Sequence, residues 1–312
     1  MKQRVVIALG GNALQQNGEV SAEAQKEVAE RIGRDIAKLA NKYELIITHG
    51  NGPQVGNILL HEESAASEGA PAMPLDTAVA MSQGQIGYWL AQAISNAFRR
   101  EKRQRQVATI VTQVVVDRKD QAFRRPTKPI GQFYTSREAI KLTKTKGWEM
   151  AEDSGRGYRR VVASPAPVDI VESREIVTLV ESGAIVIAVG GGGIPVVRTK
   201  VLKTLKGVDA VVDKDFAAEK LAELVKADIL VSVTAVSNAF LNFGKPDQLA
   251  LGMINVTEAE RYIDSVQFGT GSMLPKMEAI TKFAKKGKIG IVTDPQNLEL
   301  ALKRKAGTII QE

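Results

Sequence analysis

Short, wholly apolar runs alternate along this chain with longer stretches whose apolar positions recur at helical spacing. That alternation predicts a mostly parallel sheet covered by helices. Residues 5–9, 45–48 and 184–189 read as buried strands. Residues 21–41 carry Val28, Ile32, Ile36 and Leu39 on one helical face, and 76–100 form a second, longer helix pattern rich in Ala, Met and Leu. A strand over 107–116 follows it. Beyond residue 170 the pattern predicts a helix near 172–182 and strands around 196–197 and 210–212. A helix over 216–226 and strands over 229–233 and 239–243 come next. Helices near 257–265 and 275–286, a strand over 289–292 and a short helix near 296–304 complete the series.

Between about 118 and 165 the alternation fails. Arg124-Arg125-Pro126-Thr127-Lys128-Pro129-Ile130-Gly131 is too rich in proline for a helix, and Gly155-Arg156-Gly157 and Ser164-Pro165-Ala166-Pro167 are further breakers. This stretch reads as an insert protruding from the sheet. A boundary near 190–215 is expected to divide the chain into an N-terminal half, residues 1–210, and a C-terminal half, residues 211–312. One continuous sheet is expected to run through both.

Three of the predicted strands run into glycine: Gly10-Gly11-Asn12, His49-Gly50-Asn51-Gly52-Pro53 and Gly190-Gly191-Gly192-Gly193. An α/β enzyme builds its ligand site where parallel strands end, and glycine there lets backbone N–H groups approach an anion unobstructed. Three such loops suit anions held side by side. They point to group transfer between anions, most naturally phosphoryl transfer.

Composition narrows the chemistry. With 312 residues, 44% hydrophobic and 25% charged, the chain falls in the ordinary globular range. It has no cysteine, which excludes disulfides, thiolate nucleophiles and thiolate metal sites. No run approaches the ~18 apolar residues of a membrane span, and no signal-peptide pattern precedes the first strand, so a cytoplasmic protein is expected. The net charge of +7 is concentrated: residues 118–160 hold 12 Lys/Arg against 5 Asp/Glu, and the remainder is balanced. Such a block fits nucleic acid, a solvated surface or a small anionic substrate. No nucleic-acid motif accompanies it.

The candidate chemistry rests on lysines. Asp213-Lys214-Asp215 lies between an apolar run and a helix pattern, where a lysine meets a phosphate or merely forms a surface turn. Pro275 suits the first turn of a helix, which puts Lys276 in that turn against the helix dipole unless an anion compensates. Lys128 sits between two prolines on a stiffened backbone. His49 and His61 are the only histidines and make no metal cluster. No G-x-x-x-x-G-K-[ST] run and no protein-kinase motif set occurs. Glycine backbones and lysines supply positioning and charge neutralisation, and phosphoryl transfer needs little more.

The ordered set Ala8-Leu9-Gly10-Gly11-Asn12-Ala13-Leu14, Thr48–Gly56, and Ala188-Val189 followed by the four glycines and Ile194-Pro195 resembles the amino acid kinase family. The stretches Ala80–Tyr88, Pro126–Gly131, Glu152–Gly157, Val212–Asp215 and Gly271–Lys276 resemble its carbamate-phosphorylating branch, over essentially the whole chain. The resemblance implies a three-layer α-β-α sandwich with an open, mainly parallel eight-stranded sheet, and a homodimer. It implies Mg²⁺ with ATP or ADP, and the reaction ATP + carbamate ⇌ ADP + carbamoyl phosphate, run toward ATP in cells that ferment arginine. Residues 1–210 would then bind carbamate or carbamoyl phosphate, and residues 211–312 the nucleotide. By the same resemblance Gly10, Gly11, Asn12, Gly50, Asn51, Gly52, Gly191 and Gly192 hold the carbamoyl side. Lys214 and Lys276 neutralise the phosphoryl, Asp215 orients them, and Lys128 reaches in from the insert. Thr234, Ala235, Val236, Met273 and Pro275 join the two lysines on the nucleotide side. Two positions depart from the pattern: Ser237 stands where an acidic residue is expected, and Thr270 where a small residue or proline is. A relative that phosphorylates an amino-acid carboxylate, and an idle ligand-binding relative, are the alternatives.

Overall fold

The computed structural model describes residues 2–10, 19, 21–67, 69–153, 155–269 and 273–312. Among them, eight strands form one sheet in the order Met253–Asn255, Thr308–Gln311, Ile289–Thr293, Ile229–Val233, Gln3–Leu9, Tyr43–His49, Ile185–Ile187, Val107–Thr109. All neighbours pair in parallel except Ile289–Thr293 with Thr308–Gln311.

The central strands are apolar throughout because both sheet faces are covered. In Gln3–Leu9, Val5, Ile7 and Leu9 enter one core with helices Ala22–Leu39 and Leu75–Arg100. Val6 and Ala8, one step out of phase, enter the other with helices Ser173–Glu181, Lys214–Leu224 and Met273–Ala284. Three layers follow from this two-residue period. Among the described residues no helix is long and apolar enough to cross a membrane.

The insert is a three-stranded antiparallel sheet, ordered Lys128–Tyr134, Tyr158–Val162, Met150–Glu152, carrying helix Ser136–Lys146. Its helix is absent from the hydrophobic pattern because one residue alone, Ala139, is buried. The capping box of Thr135 and Glu138 and the left-handed Gly147 at its end define it instead. The proline-bearing segment is a strand, tolerated because it lies at the sheet edge.

Two expectations need correction, and two strands escaped the pattern. The run 107–116 is two strands, Val107–Thr109 in the main sheet and Gln113–Val116 in a four-stranded sheet with Pro167–Ile170, Ile194–Arg198 and Leu205–Gly207. The chain leaves one sheet for the other at 110–112, where Gln83 binds the Thr112 backbone from both sides. No strand forms over 210–212, where Ala210 makes only a single bridge to Ala163. The chain also returns to the main sheet through Met253–Asn255 and Thr308–Gln311, edge-side strands too short to signal themselves.

Candidate active site

Strands Gln3–Leu9, Tyr43–His49, Ile185–Ile187 and Ile229–Val233 run parallel, so their C-terminal ends share one edge of the sheet. There a cavity of about 750 Å³ opens. Gly10, Gly50, Asn51, Gly52 and Gly191 line one side of it, Thr234, Ala235, Pro275 and Lys276 another. Among the described residues, helices Gly52–Ser67, Lys214–Leu224 and Met273–Ala284 each present their first turn to this space. Free N–H groups and positive dipole ends thus converge on it, as an anion requires.

Asp215 organises the charge. Its Oδ1 accepts from Lys214 Nζ at 3.0 Å and its Oδ2 from Lys276 Nζ at 3.0 Å, while the Ser232 hydroxyl donates to Oδ1 at 3.2 Å. Asp215 and Lys276 are both buried. Burial pushes the Asp215 carboxyl up, but Lys214 and Lys276 together outweigh it and hold the group below the usual carboxylate range. Burial lowers Lys214, with Lys276 adding repulsion against the pull of Asp215. Two ammonium groups on one carboxylate leave a net positive charge facing the cavity. Asp213 completes the turn: its Oδ1 accepts from the Asp215 N–H at 2.9 Å, capping helix Lys214–Leu224, and its Oδ2 accepts from Lys128 Nζ at 2.7 Å.

The glycine loop after Ile185–Ile187 is held in a single shape. Val189 has φ 57°, strained for a β-branched residue. Its N–H donates to Thr112 Oγ1 at 3.0 Å and its carbonyl accepts from Thr48 Oγ1 at 2.9 Å. Gln83 donates to the Gly190 carbonyl at 3.0 Å. A Cβ on Gly191, at φ 67°, would overlap the Asn51 side-chain amide, which Ser82 holds at 2.8 Å. His49 is buried against Gly190, and its Nδ1 donates to the Gly50 carbonyl at 3.0 Å. Its surroundings make it a packing residue, and burial lowers its pKa to about 4.

From the insert, Lys128, Phe133, Arg156 and Arg159 face the cavity. Both arginines lie over the Phe133 ring, at 4.6 and 5.2 Å, and Arg159 pairs with Asp153 at 3.1 Å. Their charge was visible within the basic block, but the Gly155-Arg156-Gly157 segment reads locally as a breaker only. Arg159 stands on strand Tyr158–Val162, and Arg156 in the turn before it, where its N–H donates to the Asp153 carbonyl at 3.2 Å.

Some expected residues fall elsewhere. Gly192 is buried under the Val212 carbonyl, a packing position, and Val236 is outside the cavity lining. Met273 begins its helix against the apolar core. Gly11 and Asn12, like Thr270, lie outside the described residues.

Comparison with known proteins agrees with this architecture. The model of the amino acid kinase family matches residues 3–292. The carbamate kinase of Clostridium perfringens is 51% identical, covering 98% of this chain and 99% of its own. That of Thermococcus kodakarensis is 50% identical over 98% of both chains. The solved carbamate kinase of Giardia lamblia bound to AMP-PNP superposes with a TM-score of 0.93 at 43% identity, covering 99% of this chain and 98% of the other.

Proposed function

Because the chain belongs to the amino acid kinase family, we propose that it catalyses reversible phosphoryl transfer between ATP and carbamate, giving ADP and carbamoyl phosphate. The observation that carries the reading is the pair of lysines from two different helices meeting on Asp215 at the glycine-lined cavity. A carbamate oxygen is already anionic. It attacks the γ-phosphorus, the bond to the β–γ bridging oxygen breaks, and ADP leaves with that electron pair. No general base is needed, and among the described residues none stands ready in the cavity: His49 is buried and packed, and Asp213 and Asp215 both hold lysines.

Lys214 and Lys276 take up charge on the transferring phosphoryl, and Asp215 fixes the distance between them. Gly10, Gly50, Asn51, Gly52 and Gly191, all within residues 1–210, hold the carbamoyl side. Thr234, Ala235 and Pro275, within residues 211–312, hold the nucleotide. Lys128, with Arg156 and Arg159, closes the cavity from the insert and excludes water from the acyl phosphate. Among the described residues no three His, Cys, Asp or Glu side chains group to hold a metal. The donor set of the cavity therefore suits a Mg²⁺ ion held mainly by the nucleotide. When bound, Mg²⁺ offsets phosphate charge beyond what two lysines neutralise.

The enzyme acts as a cytoplasmic homodimer in this reading, and makes ATP where carbamoyl phosphate is plentiful, as in arginine fermentation. Met81 and Tyr88, exposed two turns apart on helix Leu75–Arg100, with Val111 beside the sheet edge, supply an apolar face for a second copy. Sedimentation of the purified protein tests the dimer. The activity is tested by incubating it with carbamoyl phosphate and Mg-ADP and measuring ATP. No ATP above a blank, with ATP formed when acetylglutamyl phosphate replaces carbamoyl phosphate, would transfer the assignment to the carboxylate-phosphorylating alternative.

A further inference from the structure

Asp215 and Glu219 stand one turn apart on the same face of helix Lys214–Leu224, toward helix Met273–Ala284. The first holds Lys276 near the start of the neighbouring helix. The second is fully buried, and takes two lysines near that helix's end: Lys282 at 2.8 Å on Oε2 and Lys286 at 2.9 Å on Oε1. The contacts advance together along both helices, so the two run in parallel and begin at the same cavity. Lys286 also reaches Glu223 at 3.2 Å, and Glu223 takes Lys220 at 2.8 Å.

A carboxylate with no exposed surface is costly to bury, and its ion pairs do not by themselves make a stable core. The residues these helices give to that core include Ala217, Ala218, Ala222 and Ala284. Leu221, Met277, Ile280 and Phe283 fill the same core, so side-chain packing and the ion pairs set the offset together. A carboxylate gripped from two sides fits at one axial offset.

We infer that Glu219 is a positioning residue for phosphoryl transfer. Its two ion pairs lock the offset of the helices that carry Lys214 and Lys276, and so keep the Lys276 ammonium on Asp215, beside that of Lys214. This rests on the proposed phosphoryl-transfer reading. Glu219 touches no substrate. It acts through the lysines, where a displacement of an ångström matters most.

The test replaces the buried carboxylate together with its two exposed partners: Glu219→Met with Lys282→Met and Lys286→Met, measured in the ATP-forming assay beside the wild type. The triple variant should melt within about 3 °C of the parent, since the buried carboxylate is removed together with both of its charge partners and none is left unpaired. Its kcat should fall roughly ten-fold or more while the KM for ADP stays within about two-fold, because the loss is in transition-state geometry. Lys220→Met, which cuts only the surface pair with Glu223, should leave kcat unchanged. A folded triple variant with parental kcat overturns the inference. Should the triple variant not fold, Glu219→Gln decides, since it keeps the shape but weakens both grips: parental kcat in that variant overturns the inference equally. If the wild type itself forms no ATP, the phosphoryl-transfer reading fails first, and the two failures are thereby told apart.

Discussion

Lys128 and Asp213 lie 85 positions apart in sequence and 2.7 Å apart in the fold. The same aspartate caps the helix that begins with Lys214. One carboxylate therefore ties the insert to the helix that begins with Lys214. On the proposed reading, an anion arriving near Lys128 would compete with Asp213 for its charge, which would couple substrate binding to the position of the insert.

Lys128→Ala should accordingly raise the KM for carbamoyl phosphate far more than that for ADP. Lys119→Ala, in the same basic stretch but outside the cavity lining, serves as the control for general charge loss. Equal effects of the two substitutions on carbamoyl phosphate kinetics would reduce the insert to a basic surface.

Lys214→Ala and Lys276→Ala should each lower turnover roughly a hundred-fold or more, the scale seen when one donor to a developing charge is removed. Each leaves Asp215 one cation, so the fold should persist. Circular dichroism checks the fold and the ATP-forming assay checks the rate. Near-normal turnover in either variant removes that lysine from the site.

Gly191→Ala should abolish most activity. At φ 67° any Cβ is strained, and here it would also collide with the Asn51 amide that Ser82 holds in place. The displaced group lines the cavity, so turnover should fall further than the melting temperature suggests. A soluble variant with parental kcat would show that Asn51 is free to move aside.

His49 predicts an acid weakness. Its pKa is about 4 when folded, against an ordinary value of 6.5. Between those values the unfolded chain binds the extra proton and the folded chain does not, so stability rises with pH through this window. On acidification from pH 7 to 5, this one residue should cost about 2 kcal/mol of folding free energy. Denaturant unfolding at the two pH values measures it, and His49→Asn should remove that share of the pH dependence. An unchanged slope in the variant would mean that other groups carry the acid sensitivity.

Sequence alone determined the layering and much of the site's chemistry. The apolar runs at 5–9 and 229–233 signal strands buried on both faces, and the glycines that end three strands mark the edge where ligands sit. Motif order was enough to identify the family, because glycine at a strand end answers a local backbone need and lysine at a helix start, set against the dipole, signals an anion. Only the tertiary structure decided which of these residues meet. Asp215 and Lys276, 61 positions apart, come together because two parallel helices begin at one cavity. Gly192 and Val236 share motifs with cavity residues yet lie outside the cavity lining, and a Cβ on Gly192 would meet the Val212 carbonyl instead. Arg156 and Arg159 are undistinguished within the basic stretch until the hairpin of the insert brings both to the cavity. Short strands such as Met253–Asn255 and Thr308–Gln311 carry too few residues for a period to register. Their pairing depends on neighbours far away in the chain, and that information is not local.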